Sequence, residues 1–394
     1  MQQRLTDLSG LSSLTIDAAH GITGIVESLH QTIPTFQGIW GEQDGTSGVS
    51  STVYRGVRGL FEMMEGGIHE SIERFRPLHG SHDSSPGREA ALAIINGVFG
   101  DHLVKRSNPL AIPMSFRRDG KPMDKESFGE VINQSNGKIA IMVHGACMND
   151  IQWTRNGQNH GAALAVDLGF EPIYLHYNSG LHVSENGREF SDLLETMIGQ
   201  STQPLNMVIV GHSMGGLVSR SACHYASASE HTWTKHLKKM VFLGTPHHGA
   251  HLEKAGNWID TVLDATPLSA PLSRLGKIRS SGVTDLRFGN VVDEDWQGRC
   301  RFEPSGDNRV SVPLPEGVEC YAIAATRGKK ASVVSDSVVG DGLVVIDSAM
   351  GRHKKEEFNL SFPLAHQWIG RNINHFSLLE DIGVYQAIKG WLKD

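Results

Sequence analysis

Cysteine is scarce in this chain, with four in 394 residues, at Cys147, Cys223, Cys300 and Cys320. That is too few for a fold built on disulfides, and their separations match no zinc-ligand spacing. Free thiols are therefore expected, with a Cys300–Cys320 bridge as the one alternative. No run reaches the roughly 18 apolar residues of a membrane-spanning helix. Positive charge is also lacking: the net charge is -7, without a Lys/Arg stripe or an RNA-binding signature, which argues against a nucleic-acid partner. With 39% hydrophobic and 20% charged residues the composition is that of neither a disordered chain nor a membrane-embedded one. Residues 1–10 carry Gln, Arg, Thr and Asp, and no apolar core of a secretory signal follows them. The expectation is a cytoplasmic protein.

What is present divides into two parts. Over residues 1–105 apolar side chains recur at helical spacing in three segments: Ala18, Ile22, Ile25 and Leu29; Val53 to Ile72; and Leu92, Ile95, Phe99 and Leu103. The third has Ser85 as a candidate N-cap and Pro86 at the first helical position. An amphipathic helical extension packed on the main domain is the first reading. Contact with a lipid surface or a partner is the second, although the polar faces are poor in Lys and Arg.

Residues 106–394 alternate between strand and helix. An Asp119-Gly120 hairpin is followed by strands predicted over 138–143, 172–175, 207–210, 240–243, 319–325 and 367–369. Helices are predicted over 161–168, 185–198, 214–226 and 378–392. This rhythm implies right-handed βαβ units and an α/β fold with a mostly parallel sheet covered on both faces. Ligands in such folds bind at the carboxyl ends of the strands. The rhythm lapses over 250–315, where Trp258, Val262, Leu268, Leu272 and Leu275 suggest one or two amphipathic helices, a candidate lid.

One strand end is distinctive. The apolar residues 207–210 run into Gly211-His212-Ser213-Met214-Gly215, a G-x-S-x-G pattern. This describes a sharp strand-to-helix turn with an exposed serine at its apex and glycines where the backbone doubles back. Acyl transfer at such a serine also needs backbone N–H donors for the oxyanion. One is expected from Met214, and the other from the loop His144-Gly145-Ala146-Cys147, with Ala146 first and Cys147 as the alternative. A carboxylate should come from a late strand-ending loop. Asp341 sits between two glycines there, with Asp336 and Asp347 as competitors. A histidine should follow the acid. His375 precedes the last predicted helix, while His353 and His366 are less well placed. The adjacent His247 and His248 lack a third metal ligand at useful spacing and are read as structural or pocket-lining.

Taken together, Val143-His144-Gly145, the stretch from Gly211 to Gly216, Gly244-Thr245-Pro246-His247-His248-Gly249, Gly340-Asp341-Gly342-Leu343-Val344 and Asn374-His375 resemble the α/β-hydrolase lipases and esterases. The likeness is to bacterial triacylglycerol lipases and the related GPI-inositol-deacylase-like group, and it covers about residues 137–394. It implies an α/β-hydrolase fold with Ser213 as nucleophile, Asp341 as acid and His375 as base. Ala146 and Met214 would be the oxyanion donors, and an ester or lipid the substrate. No cofactor or metal is required. The same triad serves acyltransferases and thioesterases, which is the alternative activity. A hydrolase fold retained as a non-catalytic binding module is the third reading.

Overall fold

Four stretches of this sequence are apolar along nearly their whole length, and a strand with no polar face must be buried on both sides. They are β3 (Lys138–Val143), β5 (Asn206–His212), β6 (Leu237–Leu243) and β7 (Glu319–Thr326). In the computed structural model, which describes residues 86–199, 205–250, 280–298, 308–329 and 340–393, these four form the centre of an eight-stranded sheet. β1 (Ser115–Arg118), β2 (Lys121–Pro122) and β4 (Glu171–His176) lie on one side of them, and β8 (Gln367–Arg371) closes the other. The order is β2-β1-β4-β3-β5-β6-β7-β8. Only β1 and β2 run antiparallel to their neighbours. Their connection has Asp119 and Gly120 both at positive φ, as a two-residue hairpin requires.

The register matters for function. Val143 pairs with Gly211, His212 with Leu243, and Leu243 with Ile323. The central strands thus end in nearly one row, and the loops that follow them emerge together.

The helices, numbered among the described residues, are α1 (Pro86–Lys105), α2 (Lys125–Gln134), α3 (His160–Leu168), α4 (Val183–Leu194), α5 (Met214–Ala228), α6 (Ser281–Phe288), α7 (Ile346–Ala349) and α8 (Ile382–Leu392). On one side of the sheet, Leu164 of α3 and Val384, Ile388 and Leu392 of α8 join Ala140, Met142, Val208, Val210 and Val241 in one apolar cluster. α5 is buried from Met214 to Cys223 without interruption, which suits its small side chains, Gly215, Gly216, Ser219, Ser221 and Ala222. Each central strand and the helix before or after it follow the predicted rhythm, and the result is the α/β-hydrolase fold.

Two predicted helices need correction. The expected helix 378–392 is a 3-10 turn, Ser377–Leu379, followed by α8; the Asp381 side chain accepts from the Val384 amide at 3.0 Å and starts the helix anew. The expected helix 185–198 begins earlier, at Val183, and ends in a wider turn, Glu195–Gly199. There the Glu195 carboxylate accepts from the Thr232 and Trp233 amides at 2.8 and 3.0 Å. α2 was not predicted, although Asp124 and Ser127 form a reciprocal N-terminal cap.

The chain divides into two compact units. One comprises residues 93–101, 112–258 and 279–394 and contains the whole sheet. The other takes in residues 1–92, 102–111 and 259–278. The first two predicted N-terminal helices, the Ser85 cap and the apolar part of the 250–315 insertion lie outside the described residues. The described part of that insertion is docked in the sheet unit. Asp285 of α6 accepts from the Val183 amide at 2.8 Å and from His182 Nδ1–H at 2.9 Å. His182 in turn stacks on Trp296. No described helix is long and apolar enough to cross a membrane. Cys147, Cys223 and Cys320 are free, buried thiols.

Candidate active site

The site begins where β5 meets α5. Ser213 stands between them with φ 54° and ψ -121°, a conformation an L-residue adopts at a cost of about 1–3 kcal/mol. The surrounding structure enforces it: the Ser213 amide donates to the Leu243 carbonyl at 2.8 Å, and α5 starts at once on the far side. Gly215 is needed for this geometry. A Cβ there would lie 2.2 Å from the Val143 carbonyl oxygen, so only glycine lets α5 approach the end of β3.

The loop after β3 lies directly on the serine. A Cβ on Gly145 would sit 3.1 Å from the Ser213 Cβ and 3.0 Å from His212 Nδ1. This loop is tied down on its other side. His144 Nδ1–H donates to the Gly145 carbonyl at 2.8 Å, and Tyr177 stacks on the His144 ring while its hydroxyl donates to the His144 carbonyl at 2.8 Å. In a trans peptide the N–H and C=O point opposite ways. Holding the Gly145 carbonyl therefore fixes the Ala146 N–H on the other side of that plane. The Cys147 amide is already engaged, donating to Ser179 Oγ at 3.0 Å. Among the described residues the Ala146 and Met214 amides have no acceptor within the protein. Met214 also opens a 15-residue helix, where the backbone dipole favours negative charge.

The loop after β7 carries a carboxylate. Asp341 turns on itself: its Oδ1 accepts from the Leu343 and Val344 amides at 2.9 and 2.8 Å, and its own amide donates to the Val344 carbonyl. Its Oδ2 accepts from His375 Nδ1–H at 2.7 Å, and the His375 amide donates to the Asp341 carbonyl at 3.1 Å. The pair is thus fixed through both side chains and backbone. Gly244, the residue directly after the last β5-to-β6 pair and at φ +57°, packs against it: a Cβ there would lie 3.2 Å from both Asp341 Oδ2 and His375 Cε1. Since Ser213 is bonded to Leu243, the serine, the Gly244 turn and the Asp341–His375 pair are contiguous. Ser213, Asp341 and His375 are exposed by only 6, 2 and 3%, which removes the site from bulk water.

The nine residues expected for the triad, the oxyanion donors and the turn around the serine lie on the loops and turn of this one region, including Gly211 and His212 beside the serine. Asp347 is exposed and bonded to Arg352, and His366 Nδ1–H donates to the Cys320 carbonyl, so neither joins the cluster. Asp336 lies outside the described residues. Sequence reasoning missed the supporting side chains. His212 Nε2–H donates to the His375 carbonyl at 3.2 Å, and Tyr177 and Ser179 brace the loop after β3. The available signal was the Tyr177-Asn178-Ser179-Gly180 turn after a predicted strand, whose polar residues had no other task. Among the described residues no group of three or more His, Cys, Asp or Glu is placed to hold a metal ion.

Burial sets the charge of the supporting histidines. It pushes His144 down to about 3 and holds His212 well below the usual imidazole range, with the neighbouring His375 adding to the effect on His212. A group with a depressed folded-state pKa binds protons preferentially when unfolded, so its contribution is complete above about pH 6.5 and is lost as pH falls toward the folded value. Lowering the pH from 7 to 5 is expected to cost about 2 kcal/mol through His144 alone. The check is the melting temperature against pH, where His144→Asn should flatten the slope.

A family model described as a domain of unknown function (DUF7379) matches residues 113–286. No curated protein matches the chain. Among solved structures, the chain is similar to the Bacillus licheniformis lipase BlEst2 in mature form, with 18% identity and a TM-score of 0.42, covering 65% of this chain and 92% of that one. It is also similar to a lipase-esterase related protein from Clostridium acetobutylicum, with 14% identity and a TM-score of 0.36, covering 64% and 94%. Lipase B of Aspergillus fumigatus matches with 13% identity and a TM-score of 0.37, covering 64% of this chain and 51% of that one.

Proposed function

We propose that the protein is a serine hydrolase of carboxylic esters, acting through an acyl-enzyme on lipid or other acyl substrates. The observation that carries this reading is the 2.7 Å hydrogen bond from His375 Nδ1–H to Asp341 Oδ2, held in a turn contiguous with Ser213. With Nδ1 protonated and committed to the carboxylate, Nε2 keeps its lone pair and is the base.

The steps follow from these placements. His375 Nε2 takes the proton of Ser213 as Oγ attacks the ester carbonyl. The resulting oxyanion is stabilised by the amides of Ala146 and Met214, and each donor of this kind contributes roughly 2.7–4 kcal/mol to lowering a barrier. The imidazolium, stabilised by Asp341, then protonates the departing alcohol. Water enters, is deprotonated by the same nitrogen, and releases the carboxylic acid from Ser213. Every proton moves through His375 and no cofactor takes part.

A fluorophosphonate probe reacts only with an activated serine and so separates an enzyme from a binding module. The expected result is stoichiometric labelling, with the adduct mass on the peptide containing Ser213. Unlabelled protein that nonetheless hydrolyses p-nitrophenyl esters, or a label on another serine, would overturn the assignment. Parallel turnover of p-nitrophenyl esters and acyl-CoA, with and without added alcohol, distinguishes hydrolase from thioesterase or acyltransferase.

A further inference from the structure

Two turns along α5 from Ser213 the chain buries an arginine in a place that the ester chemistry does not use. Arg220 is 4% exposed, and its guanidinium meets no carboxylate at ion-pair distance among the described residues. One terminal nitrogen donates to His247 Nδ1 at 3.3 Å, and the other donates to the Val312 carbonyl. Its Nε–H has no acceptor.

His247 shares the deficit. It is 1% exposed and packed between Phe242 and Phe362. Because its Nδ1 accepts from Arg220, its proton must sit on Nε2, and that atom also has no partner. Arg220 and His247 line a small cavity of about 20 Å3 together with His248, Arg309 and Phe358. The nearby Asp295 makes no ion pair with Arg220 and acts on it only at longer range, its oxygens accepting from the amides of Val291, Val292 and Val310. An isolated charge in such surroundings is costly, and buried donors without acceptors add to the cost.

We propose that this cavity is a binding site for a small oxyanion, with phosphate the best match to its donors. An oxyanion in the cavity would set a negative charge against the Arg220 and Arg309 guanidinium groups and supply acceptors that Arg220 and His247 lack. Phosphate carries enough oxygens to meet donors from several directions, and guanidinium is suited to it. Burial, and the Arg309 guanidinium beside it, push Arg220 down to about 10, which leaves it charged at neutral pH. The ligand is either free phosphate or the phosphate of a phosphomonoester.

The test is isothermal titration of the full chain with sodium phosphate and with glycerol 3-phosphate, in chloride buffer at constant ionic strength. A saturable one-site isotherm with phosphate is expected, and about 10- to 100-fold weaker binding in Arg220→Met. Binding of glycerol 3-phosphate as tight as that of phosphate would mark the site as one for a phosphomonoester; phosphate alone would mark it as one for the free ion. Should Arg220→Met fail to fold by circular dichroism, His247→Phe removes the second donor and should weaken binding about tenfold. Absence of saturation in the wild type, or equal binding in the folded variant, overturns the proposal. Neither outcome bears on ester turnover, so this site and the catalytic reading stand or fall separately.

Discussion

Ser213→Ala is expected to lower kcat for ester hydrolysis by about 10^4- to 10^6-fold while leaving the melting temperature nearly unchanged. The two halves of this expectation have different origins. Activity falls because the proposed mechanism makes the acyl-enzyme bond at Oγ, which alanine lacks. Stability is retained because the unusual backbone of Ser213 is held by its amide, donated to Leu243, and by the start of α5. Alanine bears that φ of 54° no worse than serine does. The residual rate measures what oriented amides achieve alone. The serine and base act as one unit, so adding His375→Ala should lower kcat little further. The check is steady-state kinetics on p-nitrophenyl esters of both variants and the double variant, with melting curves. A loss below about tenfold in Ser213→Ala would sink the acyl-enzyme mechanism.

The second large effect comes from a change of a single atom type. Asp341→Asn is expected to reduce kcat by about 10^4-fold with little change in KM. Asp341 Oδ1 is fixed by two backbone donors, Leu343 and Val344, and both require an acceptor. The carboxamide of asparagine has one acceptor oxygen, which these amides claim, so its NH2 must face His375 Nδ1. Nδ1 then becomes the acceptor and Nε2 carries the proton, leaving the nitrogen proposed as the base unable to take one. The same geometry predicts that Asp341→Glu fails differently, by displacing the ring rather than by inverting its tautomer. Kinetics combined with the 15N chemical shifts of the His375 ring distinguish these cases. An Asp341→Asn enzyme with a protonated Nδ1 and a normal rate would contradict the assignment of Asp341.

Much of this site could be read from residues in order. The pattern from Gly211 to Gly215, the His144-Gly145 loop and Asp341 between its glycines are local signals, because each reflects a turn that a few residues determine. The central strands were legible for a related reason: an apolar run of four to seven residues has few alternatives to a buried strand. What could not be read is whatever depends on distant partners. That Ser179 occupies the Cys147 amide, or that His212 grips the His375 carbonyl across 163 positions, leaves no mark on local sequence. The break before α8 was visible in principle, as Asp381 is a good cap, but the apolar Leu378 and Leu379 masked it. His247 and His248 were noticed without being understood, since the arginines that give them meaning lie at 220 and 309.

The row formed by Val143, His212, Leu243 and Ile323 bears on how the molecule is made as well as on what it does. Parallel neighbours cannot be joined by a tight turn, so every ladder that aligns these strand ends closes a long loop, and such contacts form slowly. The reactive groups arrive from loops between Gly145 and His375, and none can be assembled by a local segment. A partly folded chain with helices and collapsed strands would therefore be chemically silent, whatever secondary structure it had gained. The site is complete only once these loops have come together.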